Sequence, residues 1–247
     1  MEKKYVEVES RGLTLRGFLE LPDTSRNGRV PLLVMFHGFT GDMCEKHFLL
    51  SRLSRDAVKE GVATLRFDFG GSGESDGEFI DVTPLTEVED GISILHYSMG
   101  LDEIDTGRLG LLGFSLGGFV ATNVAARCSD LLSRLILVSP AIGTHKKMEQ
   151  SLHDCGRALR GSLEVGGQFV TDGYALDPLA AAQSFEKPVS IIQGTADVAV
   201  TPDTAEKYMT AFPHASLSYV DGADHAYDGP EYFAELSSLV CAAAKCL

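Results

Sequence analysis

An apolar run that breaks into Gly-Phe-Ser-Leu-Gly constrains this chain more than any other feature. Leu109-Gly110-Leu111-Leu112-Gly113-Phe114 reads as a buried strand, and Leu116-Gly117-Gly118-Phe119-Val120-Ala121 as the start of a helix, with Ser115 at the corner. A strand, sharp turn and helix in this order hold the serine in a strained backbone conformation at the tip of a sheet, a nucleophile elbow. Gly113 and Gly117 flank it because a Cβ at either position would crowd the neighbouring strand or helix. The Ser115 hydroxyl is thereby exposed, and the N–H groups that follow it face whatever it attacks. An ordinary glycine-rich turn before a helix would carry the same residues, so the rest of the chain has to decide.

That rest alternates strand-like and helix-like segments. Residues 6–8 and 13–21 alternate in polarity around Ser10-Arg11-Gly12, which predicts two antiparallel strands at the leading edge of a sheet. Residues 31–36 are continuously apolar, as a strand covered on both faces is, and end in His37-Gly38-Phe39-Thr40-Gly41. The spacing of Phe48, Leu49, Leu53, Ala57 and Val58 predicts a helix over 45–60. Strands at 62–67, 108–112, 135–138, 188–193 and 217–220, with helices at 85–99, 116–128, 202–212 and 230–244, complete the series. The alternation predicts an α/β domain spanning 1–247, with a mostly parallel, doubly wound sheet of about eight strands. Between 141 and 187 the rhythm lapses into scattered charges and glycines, so this stretch reads as an insertion into the domain and not as a second domain. Ligands in such sheets sit beyond the carboxyl ends of the strands.

Composition removes several functions. A net charge of −14 argues against nucleic acid and against anionic membrane surfaces, because phosphate binding needs Lys and Arg to replace counterions. No apolar stretch approaches the roughly 18 residues of a membrane span. Met1 to Glu7 alternates charged and apolar residues, so no signal peptide is expected there. Cys44, Cys128, Cys155, Cys241 and Cys246 are odd in number and contain no Cys-x-x-Cys pair. They indicate neither zinc nor a redox dithiol, and as reduced thiols they favour a cytoplasmic setting. Gly71-Ser72-Gly73 lacks the third glycine of a dinucleotide-binding turn, Asp76 standing in its place, and Glu74 and Asp76 would repel a pyrophosphate. No metal or cofactor is therefore expected. The loop reads as a tight turn in which Asp68 bonds backbone amides.

A serine hydroxyl near neutral pH needs a base, and the base needs a group that fixes its tautomer. With a nucleophile elbow the chain order is serine, then carboxylate, then histidine. His37 precedes Ser115, His47 and His96 fall within helix-like segments, His145 and His153 in the inserted stretch, and His214 at the wrong edge of the sheet. His225, in a glycine-containing loop past the last strand, is the candidate base. Asp197, after the strand 188–193, is the candidate orienting carboxylate. Asp224 is adjacent to His225, but neighbouring side chains in an extended segment point apart. Asp221 lies too near the strand end to reach back easily. Acyl transfer also needs two N–H donors for the developing oxyanion, and the Leu116 and Phe39 amides are placed to supply them. His37 is read as a structural histidine that holds the Phe39 loop by hydrogen bonds.

His37-Gly38, Gly113-Phe114-Ser115-Leu116-Gly117, Asp197 and His225, in this order, make the chain resemble an α/β-hydrolase. His37-Gly38-Phe39-Thr40-Gly41, the run from Gly61 to Asp68 with Gly71-Ser72-Gly73-Glu74-Ser75-Asp76-Gly77, and Asp224-His225 are similar to the bacterial feruloyl (cinnamoyl) esterases. The resemblance implies a cofactor-independent hydrolase of small hydroxycinnamoyl esters. It assigns Ser115 as nucleophile, Asp197 and His225 as its partners, Phe39 and Leu116 as oxyanion donors, and 141–187 as the family's lid. Family members place a tyrosine and other polar groups in that lid to meet the phenolic ring. Gln168, Phe169 and Tyr174 either line an aromatic acyl pocket here or simply pack the lid. The alternatives are a short-chain carboxylesterase or monoacylglycerol lipase, a peptidase or acyltransferase on the same scaffold, and a catalytically silent binding module. A homodimer is an option by analogy alone.

Overall fold

The structure is a computed structural model and describes residues 1–155 and 158–247. Its strands are β1 (Glu2–Ser10), β2 (Leu13–Leu21), β3 (Val30–Phe36), β4 (Ala63–Phe67), β5 (Ile104–Phe114), β6 (Arg134–Val138), β7 (Ala158–Arg160), β8 (Leu163–Val165), β9 (Val189–Gly194) and β10 (Ala215–Val220). Its α-helices are α1 (Leu49–Lys59), α2 (Pro84–Ser98), α3 (Leu116–Arg127), α4 (Thr144–Cys155), α5 (Gln168–Tyr174), α6 (Pro178–Gln183), α7 (Pro202–Ala211) and α8 (Pro230–Ala244).

Eight strands form one sheet in the order β1-β2-β4-β3-β5-β6-β9-β10. β2 runs antiparallel to both β1 and β4, and every later pairing is parallel. This is the mostly parallel, doubly wound sheet of about eight strands expected from the alternation of segments, and it is the α/β-hydrolase architecture that the resemblance implies. The first hairpin closes through Arg11 and Gly12, both at positive φ (52° and 77°), which matches the twist of the strands it joins. Arg11 then forms a two-pronged ion pair with Asp90 of α2, each contact 2.9 Å, and fixes the hairpin to the body of the domain.

Burial on both faces explains the continuous apolar strands. Leu32, Val34 and Phe36 of β3 enter the core beneath α2 and α3, whereas Leu33 and Met35 enter the core beneath α1 and α8. The same alternation sends Leu135 and Leu137 of β6 to one side and Ile136 and Val138 to the other. β3 sits between β4 and β5, so the chain steps to one side of β3 and then to the other. The crevice opened at that reversal lies between the loops after β3 and β5, which carry Phe39 and Ser115.

One sequence expectation is corrected. The helix expected over 45–60 begins only at Leu49, because Glu45, His47 and Phe48 take positive φ values of 59°, 53° and 60°. Residues 46–48 form a separate 3-10 turn, so His47 is not part of an α-helix. The stretch 141–187, in which no continuously buried strand is expected, contains the short, largely unburied antiparallel hairpin β7–β8. It is also less of a loose insertion than its charges suggest. Met148, Ala158, Phe169, Ala182 and Phe185 are fully buried and belong to the main core. Cys44, Cys128, Cys241 and Cys246 are free thiols, and the Cys155 side chain lies outside the described residues. Among the described residues no helix is long and apolar enough to cross a membrane, and no cluster of three or more His, Cys, Asp or Glu could hold a metal ion.

One buried carboxyl works against this packing. Glu87 on α2 is 2% exposed and its Oε2 has no hydrogen-bond partner. Burial, reinforced by nearby Asp90 and opposed by Arg11, pushes its pKa well above the ordinary carboxylate range. A carboxyl raised in the folded state binds more protons folded than unfolded, so its contribution falls as pH rises above the ordinary carboxylate value. Glu87→Gln is expected to melt at a higher temperature than wild type near pH 7.5, with the difference shrinking toward pH 4.5. Thermal melts at the two pH values measure it, and a difference that does not change with pH would count against a neutral, buried Glu87.

Candidate active site

The turn after β5 sets the geometry. Ser115 stands at φ 54° and ψ −119°, a sparsely populated conformation held from both sides. Its N–H donates to Val138 O of β6, and its carbonyl accepts from Gly118 and Ala141 N–H. The two flanking glycines are obligatory on steric grounds. A Cβ on Gly113 would lie 2.6 Å from the Gly117 carbonyl carbon, and one on Gly117 would lie 2.5 Å from Phe36 O. α3 can therefore start hard against β3 and β5, with its positive end beside the Ser115 hydroxyl.

Three side chains that are far apart in sequence meet at this corner. His225 Nε2 is 2.9 Å from Ser115 Oγ, and His225 Nδ1 is 2.6 Å from Asp197 Oδ2. Nδ1–H donating to the carboxylate leaves Nε2 as the acceptor for the serine proton. The imidazole rests on the Phe114 ring, with centroids 5.0 Å apart. Asp197 is buried in the turn after β9, and its acceptors are fully used. Oδ1 takes the N–H groups of Ala199 (2.9 Å) and Val200 (2.8 Å), and Oδ2 takes Gln193 Nε2 (3.2 Å) besides His225. Burial opposes ionisation of Asp197, but His225, the Val200 amide and Gln193 outweigh it and hold the carboxyl below its ordinary value. The rival carboxylates are occupied elsewhere. Asp221 accepts from Thr195 Oγ1 at 3.0 Å, and Asp224 caps the amides of Ala226 and Asp228.

The Phe39 loop is assembled from its neighbours. His37 is buried, donates from Nδ1 to Gly38 O at 3.0 Å, and accepts the Phe69 N–H at Nε2 at 3.1 Å. It pins the loop after β3 to the loop after β4, the structural role expected for it. Asp68, in that second loop, accepts the amides of Met43 (2.6 Å) and Glu74 (2.9 Å). Among the described residues the Phe39 N–H donates to no protein acceptor, and the first N–H of α3, at Leu116, has no partner within its helix. Both flank Ser115. Glu45 was not singled out by sequence reasoning, yet its Oε1 accepts the Gly38 N–H at 2.5 Å. Burial pushes the Glu45 carboxyl up, against the opposing pull of His37 and the Gly38 and Lys46 amides. Lys46 and His47, next in the chain, both contact Asp228 in the His225 loop, at 2.9 and 2.5 Å.

Tyr227 and Ser139 also escaped notice. Both have positive φ (54° and 44°), and their hydroxyls lie 3.1 Å apart, which ties the His225 loop to the end of β6. A non-glycine residue at positive φ leaves no mark in a sequence, so no local signal could have found them.

Two cavities meet at Ser115 and His225. One, of about 590 Å³, runs beneath α4 and past the start of α7, and the other, of about 390 Å³, runs along the Gly38 to Lys46 loop. Gln168, Phe169 and Tyr174 line neither. Phe169 is buried and packs on Phe39, with ring centroids 4.8 Å apart. Tyr174 meets His145 edge to face and bonds Glu149 at 2.5 Å, and Gln168 bonds Asp172 at 2.6 Å. Phe169 packs the interior from α5, whereas Gln168 and Tyr174 lie on the exposed side of that helix.

Comparison with known proteins agrees with the fold. The sequence profile described as Serine aminopeptidase, S33, of the Hydrolase_4 family, matches residues 29–177. A protein of Escherichia coli described as an uncharacterized 31.7 kDa protein in the traX-finO intergenic region is 38% identical over 128 residues, 51% of this chain and 44% of that protein. The quorum-quenching protein AidA of Acinetobacter baumannii is 30% identical over 116 residues, 46% of this chain and 36% of that protein. The chain thus matches less than half the length of these relatives. Among solved structures, Est1E of Butyrivibrio proteoclasticus with ferulic acid bound superposes with a TM-score of 0.84 at 24% identity, covering 96% of each chain. Matched over more than half its length by the family's profile and built on the same sheet, the chain belongs to the Hydrolase_4 family of α/β-hydrolases.

Proposed function

We propose that the chain is a serine esterase that hydrolyses carboxylic esters through an acyl-enzyme, with hydroxycinnamoyl (feruloyl) esters as the leading substrate class. The observation that carries this reading is the continuous hydrogen-bonded line from Asp197 through His225 to Ser115 Oγ. In the mechanism, Ser115 Oγ attacks the ester carbonyl carbon as His225 Nε2 takes its proton. The oxyanion is held by the Phe39 and Leu116 N–H groups. His225 returns the proton to the leaving alcohol, and water repeats the sequence on the acyl-enzyme to release the acid. Asp197, kept ionised, stabilises the imidazolium that forms between the two proton transfers.

The feruloyl assignment is supported by the sequence resemblance and by the likeness in fold to an esterase that binds ferulic acid. A second reading, a general short-chain carboxylesterase, is favoured by the wider cavity itself. Among the described residues, Phe39 is the only phenyl or phenol ring lining it, beside aliphatic groups such as Ile142 and Val198. Aminopeptidase activity is disfavoured on charge. A substrate's free α-ammonium needs unpaired carboxylates, whereas this cavity is lined by Lys147, Arg160 and Lys207 against Asp203 alone.

Ser115→Ala is expected to lower ester turnover by at least about 10⁴-fold. A fluorophosphonate should label the wild type at Ser115 and leave the variant unlabelled. Undiminished turnover by the variant would remove the mechanism. Methyl ferulate and methyl butyrate share a leaving group, so a higher kcat/KM for the ferulate supports the hydroxycinnamoyl class and the reverse supports the general esterase. Glu45→Ala frees the peptide that precedes the Phe39 donor and should lower kcat about tenfold with little change in KM, since one oxyanion donor is worth 10²–10³-fold when lost outright. Glu45→Gln keeps an acceptor for the Gly38 N–H and should restore most of the rate. A Gln variant as slow as the Ala variant would show that the contact does not position the loop.

A further inference from the structure

The protein carries a net charge of −14, yet the cavity that reaches Ser115 and His225 is lined by three cations and one carboxylate. The carboxylate is neutralised locally, since Asp203 pairs with Lys207 at 2.7 Å and also accepts from Thr201 Oγ1. Lys147, on the first turn of α4, spends one donor on Ala199 O at 2.8 Å and keeps two. That bond places its ammonium directly over the 197–200 turn that holds Asp197. The Arg160 side chain, exposed at the end of β7, has no hydrogen-bond or ion-pair partner among the described residues, so its five donors face solvent.

The backbone adds to the same sign. Gly143 and Thr144 at the start of α4, and Thr201 and Thr204 at the start of α7, all line this cavity. The positive ends of a 12-residue and a 10-residue helix therefore open onto it, and α4 has no acidic residue in its first turn. On the second cavity the balance is reversed, with Asp42 and Glu45 facing Lys46 alone. The excess of positive charge is thus confined to one side of the Ser115 hydroxyl.

We propose that this wall is an anion-binding subsite, and that the preferred substrate is an ester carrying a second, ionised acid group that Arg160 and Lys147 hold while Ser115 attacks the ester bond. The inference rests on the esterase reading and not on the hydroxycinnamoyl one. In a protein of net charge −14, a local excess of cations around one concave wall makes that wall a place of positive potential that draws anionic groups to it. A guanidinium and an ammonium on adjoining elements can bind the two oxygens of a carboxylate together. The arrangement also lets a small substrate be anchored at the end remote from the reacting carbonyl, so that binding there orients the attack.

Paired esters test the inference. Monomethyl adipate is the anionic probe and dimethyl adipate its neutral counterpart, with the charge on the acyl side. 4-Butyryloxybenzoate and 4-acetylphenyl butyrate form the second pair, with the charge on the alcohol side. Wild-type kcat/KM should be higher for the anionic member of one pair, and the advantage should shrink between 50 and 500 mM salt, roughly as expected when exposed charges are screened. The pair that shows it identifies which side of the substrate faces the subsite. Arg160→Gln and Lys147→Gln should each cut the anionic-to-neutral ratio by about five- to tenfold, chiefly through KM. Arg160→Lys should recover part of the loss. Lys187→Gln, the same charge change at the opposite edge of the sheet, should leave the ratio as it was. Preference for the neutral member in both pairs, or an unchanged ratio in both Gln variants that melt like the wild type, overturns the inference. If Ser115→Ala still turns over the neutral esters, the esterase reading fails instead. If it abolishes turnover while the wild type shows no charge preference, only the subsite fails. Absence of turnover with all four esters counts against both.

Discussion

Everything at the catalytic edge depends on how closely the backbone of α3 can approach β3 and β5. A helix begun one Cβ radius further out would carry the Leu116 amide and the Ser115 hydroxyl away from the loops that face them. Gly113 and Gly117 remove the obstructing atoms, and the strained turn between them is held by hydrogen bonds to β6 and to Ala141. Strain of this kind costs on the order of 1–3 kcal/mol and persists only where surrounding structure over-determines it. Here the over-determination comes from a strand on each side and from a helix that is buried along most of its length.

Around that rigid point the polar groups are arranged as shells that satisfy one another. Asp197 is saturated by two main-chain amides, a glutamine and the imidazole, so it can remain charged although buried. His37 and Asp68 bind the loops after β3 and β4 into one unit by bonds to main-chain groups. A buried charge without such partners would shift toward its neutral form, as Glu87 on α2 does. The contrast between Asp197 and Glu87 shows that burial alone does not set a carboxyl's state; the supply of donors does.

Much of this could be read before any coordinates. Ser115 was legible because the elbow is a local motif, with its glycines adjacent in the chain. Asp197 and His225 were legible because the sheet's topology restricts where partners in this order can emerge. The sheet itself followed from uninterrupted apolar runs such as Leu32 to Phe36. Glu45 was not legible, since its role is defined by an amide that comes near it only after folding, and its surrounding residues carry a good helical pattern. The same holds for Gln193, Ser139 and Tyr227, whose partners lie across the fold. The 141–187 stretch misled for a different reason. Its core residues, among them Met148, Phe169 and Phe185, are spread singly among charges, so no period reveals that they share one interior.

The turn at residues 45–48 joins what the chain keeps far apart. Glu45 grips the peptide beside Phe39, while Lys46 and His47 reach Asp228, three residues beyond His225. Exposed pairs like the latter two are individually weak, but they share one short 3-10 turn with the half-buried Glu45. The Phe39 loop and the His225 loop therefore share a common anchor, and the spacing between them is fixed through this one turn as well as through the sheet.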